Sequence, residues 1–156
     1  MERCDPGSER ELAWTLVRSV IGDAPVERSE LGKPYLPETP GKYISLSHVR
    51  GYAAAAVADS RVGIDVELLS RIARLRDIGR FAQIVLAEGE RADSAVELLE
   101  YWTKKEAYGK LDGRGLSIGL RSMQVDKLDS VRFHRVFTDG EALCVAAVEE
   151  EVHGRN

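Results

Sequence analysis

The chain has 156 residues, of which 44% are hydrophobic and 31% charged, with a formal net charge of −4 at pH 7, as expected for one globular domain. The acidic balance disfavours nonspecific binding to nucleic acid, and the longest apolar run, Tyr52 to Ala58, is too short to cross a bilayer. The only cysteines, Cys4 and Cys144, lie far apart, so we expect no disulfide framework or cysteine zinc site, and a cytoplasmic location fits.

The first half of the chain predicts one helix and three strands. A helix is expected over residues 8–21, where apolar side chains recur at helical spacing. The prolines and glycines of residues 22–42 indicate a loop. Strands are then expected at residues 43–46, 52–58 and 62–68. The connection 59–61 is short enough to join the last two strands as a hairpin.

The second half repeats the order of helix, loop and hairpin. Residues 70–110 are mainly helical in pattern, with a break near Gly89. Strands at 131–137 and 142–149 flank the turn "TDGE" at 138–141, where Asp-Gly is a hairpin signal. We therefore predict an α+β fold in a single domain, residues 1–156. Its two similar halves, about 1–68 and 69–156, would each pack a helix on a small antiparallel sheet around a pseudo-two-fold axis.

The strand "VGIDVELL" at residues 62–69 carries two carboxylates. Because side chains alternate along a strand, Asp65 and Glu67 share one face and lie roughly 7 Å apart. Either this face is the solvent side of an amphipathic strand, or the two acids point at a common ligand.

A third carboxylate lies on the predicted helix that follows. Leu98, Trp102, Glu106 and Lys110 recur at intervals of four and so share one helix face. Glu106 therefore stands where the apolar stripe still points inward. A surface ion pair between Glu106 and Lys110 is the alternative.

Three inward carboxylates repel one another unless a cation holds them. Oxygen ligands suit Mg²⁺, which keeps positions for water and substrate phosphate. Asp65, Glu67 and Glu106, with lysines nearby, thus indicate phosphoryl chemistry. On this pattern alone, any Mg²⁺-dependent phosphoryl-transfer enzyme or hydrolase remains possible.

The wider motifs resemble one family. "VGIDVE" at 62–67 and "WTKKEAYGK" at 102–110 are similar to the paired motifs of 4′-phosphopantetheinyl transferases. Further similar segments are "GKPYLP" at 32–37, "ISLSHVRGYAAAAVAD" at 44–59 and "KLDGRGLSIGL" at 110–120. The D-x-E pattern of Asp65 and Glu67 and the Ser-His motif resemble the surfactin-synthetase-activating type.

The resemblance implies an enzyme that transfers phosphopantetheine from coenzyme A to a serine of an apo carrier protein and releases adenosine 3′,5′-bisphosphate. It assigns Asp65, Glu67 and Glu106 to Mg²⁺, and Asp65, Glu106 and Lys110 to catalysis. Glu106, or water held by it, would take the serine proton. A non-catalytic coenzyme A-binding regulator or scaffold is the alternative.

The resemblance also assigns residues to coenzyme A: Arg10, Lys33, Ser47, His48, Lys105 and Lys110. Lys110 would face the pyrophosphate. Ser47 and His48 would contact the 3′-phosphate with Lys33 nearby, since hydroxyl, imidazole and ammonium groups suit a dianion. A solvated lysine is the alternative for Lys105.

The segment "SRIARLRDIGR" at 70–80 is basic within an acidic chain. Carrier proteins of fatty-acid, polyketide and nonribosomal-peptide synthesis are generally acidic, and in relatives this region forms part of the carrier surface, so opposite charge would steer docking. The stretch before the first helix is shorter than in relatives of this type, which leaves a naturally minimal enzyme, a dimer whose second copy completes the sheet, or a degenerate protein as alternatives. We therefore expect a monomer or a dimer.

Overall fold

The computed structural model describes residues 1–138 and 140–150; Asp139 of the predicted turn and residues 151–156 of the predicted domain lie outside it. The α-helices are α1 (Glu9–Ile21), α2 (Ser70–Arg74), α3 (Ile78–Val85) and α4 (Ala95–Asp112). The strands are β1 (Glu2–Arg3), β2 (Glu27–Arg28), β3 (Pro34–Tyr35), β4 (Tyr43–Val49), β5 (Tyr52–Ala58), β6 (Val62–Leu68), β7 (Val131–Thr138) and β8 (Ala142–Glu149). Single 3₁₀ turns follow α4 at Gly115–Ile118, Leu120–Ser122 and Val125–Lys127. Within the described part of the chain, no helix has the length and apolar character needed to cross a membrane.

Two three-stranded antiparallel sheets carry one long helix each, which confirms the predicted α+β fold. The first sheet has the order β1-β5-β4 and packs against α1. The second has the order β6-β8-β7 and packs against α4. The short strands β2 and β3 form a separate hairpin in the predicted loop. The pseudo-two-fold relation between the two units stays a prediction.

The predicted hairpin of β5 and β6 is wrong. β5 pairs with β4 over the whole strand, through a turn at Arg50 and Gly51, and β6 pairs with β8. Gly51 has a φ of 83°, which suits so tight a turn. Residues 59–61 instead carry the chain from the first sheet to the second.

The two sheets meet where β6 passes beside β4. The hydroxyl oxygens of Ser45 and Ser47 on β4 accept hydrogen bonds from the backbone amides of Ile64 (3.0 Å) and Val66 (3.3 Å) on β6. These hydroxyls replace the main-chain carbonyls that a continuous sheet would supply. A buried apolar cluster that contains both β6 residues and Cys144 fills the space between the sheets.

β6 lies directly on the backbone of α4 at Gly63. A Cβ atom added to Gly63 would be 2.0 Å from the carbonyl oxygen of Ala107 and 2.4 Å from the amide of Leu111. Ser94 caps the start of α4, and Gly113 ends the helix with a φ of 94°. This close approach brings the β6 carboxylates next to the last two turns of α4.

Candidate active site

A cavity of about 330 Å³ lies between α1, the β2–β3 hairpin, β4 and the loop after α4. Basic side chains from all four elements line it: Arg10, Arg28, Lys33, His48, Lys110 and Arg114. Within the described residues, no aspartate or glutamate lines this cavity. Lys110 and Arg114 pair with Asp65 and Asp112 outside the lining, and Arg10, Arg28 and Lys33 leave the lining positive, which suits a ligand that carries several phosphates.

The structure brings four of the six predicted coenzyme A residues together in this cavity. Arg10 extends from α1, Lys33 precedes β3, His48 lies near the end of β4, and Lys110 lies on α4. These residues are separated by up to a hundred positions in sequence. The fold thus gathers around one cavity four residues that the resemblance assigned to coenzyme A.

Lys33 has a second contact besides the cavity. Its ammonium donates a hydrogen bond of 2.6 Å to the carbonyl oxygen of Leu111, in the last turn of α4. Arg61 donates to the same carbonyl and to that of Asp112. Burial, with the charge of Arg61, lowers the pKa of Lys33 to about 8. Two cations thus cap the negative end of this helix.

Ser47 does not line the cavity. Its hydroxyl group is buried and donates to Asp65 Oδ1 at 2.9 Å, while its oxygen accepts from the amide of Val66. The Ser47 side chain is thus turned away from the cavity, and its expected contact with the 3′-phosphate stays a prediction. Alternation along β4 turns Ser47 toward β6 and its neighbour His48 toward the cavity.

Lys105 does not line the cavity either. Its side chain is 0% exposed, and its ammonium donates to Glu90 Oε2 (2.5 Å) and to the carbonyls of Val85 (2.7 Å) and Leu120 (3.0 Å). All three donors are therefore used inside the protein. The ammonium faces α3 and the 3₁₀ turns rather than the cavity, and the expected contact of Lys105 with coenzyme A stays a prediction.

Asp65 links the cavity to the candidate metal ligands. Its Oδ1 accepts hydrogen bonds from Ser47 and from Lys110 Nζ at 2.8 Å. Its Oδ2 is buried and has no hydrogen-bond partner within the described residues. A buried carboxylate oxygen without a donor is costly, and a cation is the partner that would satisfy it.

Glu67 lies one pleat further along β6. Its Oε1 accepts a hydrogen bond of 2.7 Å from the indole nitrogen of Trp102 and a second from Arg71 Nη1. The predicted alternative of a solvent-facing strand does not describe these acids, since Asp65 is buried and the Glu67 side chain is only 13% exposed.

Glu106 on α4 completes the predicted set. Burial raises the pKa of Glu106 to about 7, and the charges of Asp65 and Glu67 add to this increase. As the side chains stand, residues 1–138 and 140–150 hold no group of three His, Cys, Asp or Glu side chains arranged to bind a metal ion. The three-carboxylate metal site therefore stays a hypothesis, supported by the mutual electrostatic influence of these acids and the orphaned oxygen of Asp65.

The motifs missed two cations of the cavity. Arg28 on β2 donates to the carbonyl of Gly32 at 2.8 Å, and its guanidinium lies 5.9 Å from the ring centroid of Trp14. Arg114 pairs with Asp112 at 2.5 Å. Arg114 could have been found as the basic residue of the "DGRG" loop. No sequence signal indicated Arg28, whose position depends on the β2–β3 hairpin.

Comparisons with known proteins identify similar sequences. Residues 61–154 match the family model of the 4′-phosphopantetheinyl transferase superfamily. The chain is similar to 4′-phosphopantetheinyl transferase Sfp of Bacillus subtilis strain 168, with 31% identity over 136 residues, covering 80% of this chain and 58% of that protein. It is similar to 4′-phosphopantetheinyl transferase psf-1 of Bacillus pumilus, with 30% identity over 119 residues, covering 73% and 50%.

A eukaryotic relative matches as well. The L-aminoadipate-semialdehyde dehydrogenase-phosphopantetheinyl transferase of Eremothecium gossypii is 35% identical over 115 residues, which cover 67% of this chain and 42% of that protein. The chain thus spans about half the length of the curated relatives it matches. The matched family model includes β6 and α4, which carry the three carboxylates and Lys110. This chain belongs to the 4′-phosphopantetheinyl transferase superfamily.

Proposed function

We propose that this chain transfers 4′-phosphopantetheine from coenzyme A to a serine of an apo carrier protein. The observation that carries the proposal is the position of Lys110. Lys110 lines the cationic cavity and its ammonium contacts Asp65, so the anion site and the carboxylate site adjoin. The family membership supports the same reaction.

Coenzyme A carries a pyrophosphate and a 3′-phosphate, which the cavity's cations can bind separately. Lys110 and Arg114, from the end of α4 and the loop after it, are suited to the pyrophosphate beside the carboxylates. Arg10, Lys33 and His48 would hold the 3′-phosphate. Charge-assisted hydrogen bonds of this kind are roughly twice as strong as neutral ones.

The carboxylates fit a bound Mg²⁺ through their chemistry. Among residues 1–138 and 140–150, Asp65 Oδ2 has no hydrogen-bond donor, and Glu106 lies near two other acids in a partly buried site. Asp65, Glu106 and Glu67 would hold the ion, whose charge would stabilise the negative charge that develops during transfer.

The reaction step forms one bond and breaks another. The serine oxygen bonds to the phosphorus that carries pantetheine, and the bond from this phosphorus to the bridging oxygen breaks. The bridging oxygen leaves on adenosine 3′,5′-bisphosphate. Glu106, directly or through water, accepts the serine proton.

The carrier protein would dock on the basic surface of α2 and α3. Arg74, Arg76 and Arg80 are exposed there, beside the exposed apolar side chain of Ile78. Reversing Arg74 and Arg76 to Glu should raise the KM for an acidic carrier and leave the KM for coenzyme A unchanged, because only the carrier contacts this surface. Equal changes in both KM values would contradict the assignment.

The carrier class, the oligomeric state and the location are further parts of the proposal. The carrier could serve fatty-acid, polyketide or nonribosomal-peptide synthesis, and the enzyme could act as a monomer or a dimer. Cys4 and Cys144 are free thiols, which fits the expected cytoplasm.

Intact-mass spectrometry tests the proposal directly. Apo carriers of all three kinds are incubated with the protein, coenzyme A and Mg²⁺. We expect a mass increase of one phosphopantetheine, lost with EDTA or with Glu106→Ala and retained with the exposed control Glu38→Ala. If no carrier gains mass while calorimetry still detects coenzyme A binding, the non-catalytic binding protein is the better description.

A further inference from the structure

Arg71 is distinct from the other arginines of the basic segment. Its Nη1 contacts Glu67 Oε1, and its guanidinium carbon lies 4.4 Å from the ring centroid of Trp102 and 5.9 Å from that of Phe81. The two rings pack against each other with centroids 5.5 Å apart. Arg71 therefore points inward, toward the carboxylates.

We propose that Arg71 is a positioning residue that acts through Glu67. Together with Trp102 it holds Glu67 Oε1, so that the other carboxylate oxygen, Oε2, is presented to a divalent cation. This inference rests on the proposed function, because it concerns the cation of that same site.

The geometry gives the physical reason. Two donors on one oxygen restrict rotation of the Glu67 carboxylate, and the stacked indole and guanidinium restrict each other. Repulsion from Asp65 and Glu106 would otherwise favour a Glu67 rotamer that turns away from them. Arg71 offsets part of this repulsion before a cation arrives.

A guanidinium this close to the acids would, in the opposite role, weaken the binding of a divalent cation. As a nearby positive charge, Arg71 would repel a divalent cation and compete with it for Glu67. The two roles predict opposite signs when Arg71 is removed. The sign is therefore the decisive quantity, and it requires a measurement of cation binding itself.

Free Mn²⁺, counted by electron paramagnetic resonance in the presence of coenzyme A, provides this measurement on the full chain. Loss of a residue that orients a metal ligand commonly weakens metal binding by about 10–100-fold, so we expect this loss for Arg71→Ala. Arg71→Lys should retain part of the affinity, since an ammonium can still make a cation–π contact with Trp102 and donate a hydrogen bond to Glu67. The exposed control Arg91→Ala should bind Mn²⁺ as the parent protein does.

Unchanged or tighter Mn²⁺ binding by Arg71→Ala would overturn the proposal. If Arg71→Ala does not fold, as judged by circular dichroism, Arg71→Lys and Trp102→Phe decide, and parent-like binding by both overturns it. The behaviour of the parent protein distinguishes failure of the proposed function from failure of the role of Arg71. If the parent neither binds Mn²⁺ nor modifies a carrier, the proposed function fails and this inference with it. If the parent does both and the variants match it, only the role of Arg71 fails.

Discussion

Replacement of Lys105 by Met tests whether this lysine of the "WTKKE" motif serves the fold or the ligand. The Lys105 ammonium is 0% exposed and donates to three acceptors, of which Glu90 is a carboxylate only 3% exposed. Met approximates the length of the lysine stem but removes the charge and all three hydrogen bonds. Glu90 would then be left as a buried anion without a cation.

The expected loss of stability follows from that unpaired charge. Breaking one side of a buried ion pair commonly lowers the free energy of unfolding by about 3–5 kcal/mol. Glu90 keeps two other donors, the backbone amides of Ala87 (2.8 Å) and Val125 (2.9 Å), so we expect the lower end, about 3 kcal/mol. For a chain of this size, that loss lowers Tm by about 6–12 °C.

The assay is urea denaturation followed by circular dichroism, with the neighbouring Lys104→Met as matched control. The Lys104 side chain is 23% exposed and its partner Glu100 also pairs with Arg135, so removal of the Lys104 ammonium leaves Glu100 with a cation and should lower stability by less than about 1 kcal/mol. The KM for coenzyme A should stay unchanged in Lys105→Met. Equal stability of the two variants, or a raised KM for coenzyme A without loss of stability in Lys105→Met, would refute the structural role.

Three further predictions concern the cavity and its support. At about pH 9 the Lys33 ammonium, with a pKa of about 8, is largely neutral in the free protein, and a bound phosphate favours its charged form. Coenzyme A binding should therefore weaken as pH rises above 8, and binding there should take up a proton. Calorimetry in two buffers of different ionisation enthalpy measures this proton uptake, which should be absent in Lys33→Arg. Gly63→Ala should lower the free energy of unfolding by about 1–3 kcal/mol in urea denaturation, because the new Cβ meets α4 backbone, whereas Gly79→Ala, which meets only a side-chain oxygen, should not destabilise. In Gly109→Ala the Cβ would lie 2.7 Å from the carbonyl oxygen of Gly115, which should displace this cavity loop. We therefore expect a raised Kd for coenzyme A in titration calorimetry with little change in Tm.

Local periodicity was sufficient to predict which acids share a face, but it left open whether those faces point to solvent. The alternation of β6 puts Asp65 and Glu67 on one face, and the four-residue interval of α4 puts Glu106 and Lys110 on another. Each relation needs only a few consecutive residues. Predicting the strand that pairs with β6 requires more than local sequence. β8 lies about eighty residues away, and the nearer β5 offered an equally good strand pattern. In the structure β6 also packs on α4 at Gly63, a tertiary contact that local patterning does not encode.

Two residues of the family motifs lie elsewhere than the resemblance implied. Lysine is almost never fully buried unless it is paired, and the partner of Lys105, Glu90, stands in a loop fifteen residues earlier, with no spacing that links them. Ser47 turns toward β6 because β4 is an edge strand, and its hydroxyl supplies an acceptor that the sheet lacks there. Such contacts depend on tertiary packing, which a motif does not encode.

The bond from Lys33 to the end of α4 makes part of the anion site rigid before any ligand arrives. Ordering a free lysine side chain costs about 1.5–2 kcal/mol of rotamer entropy. In Lys33 much of that cost is met on folding, because its ammonium already donates to Leu111. Arg28 and Arg114 are likewise tethered, to Gly32 and Asp112. A phosphate that enters the cavity thus meets donors already in place, so more of its electrostatic attraction can appear as affinity.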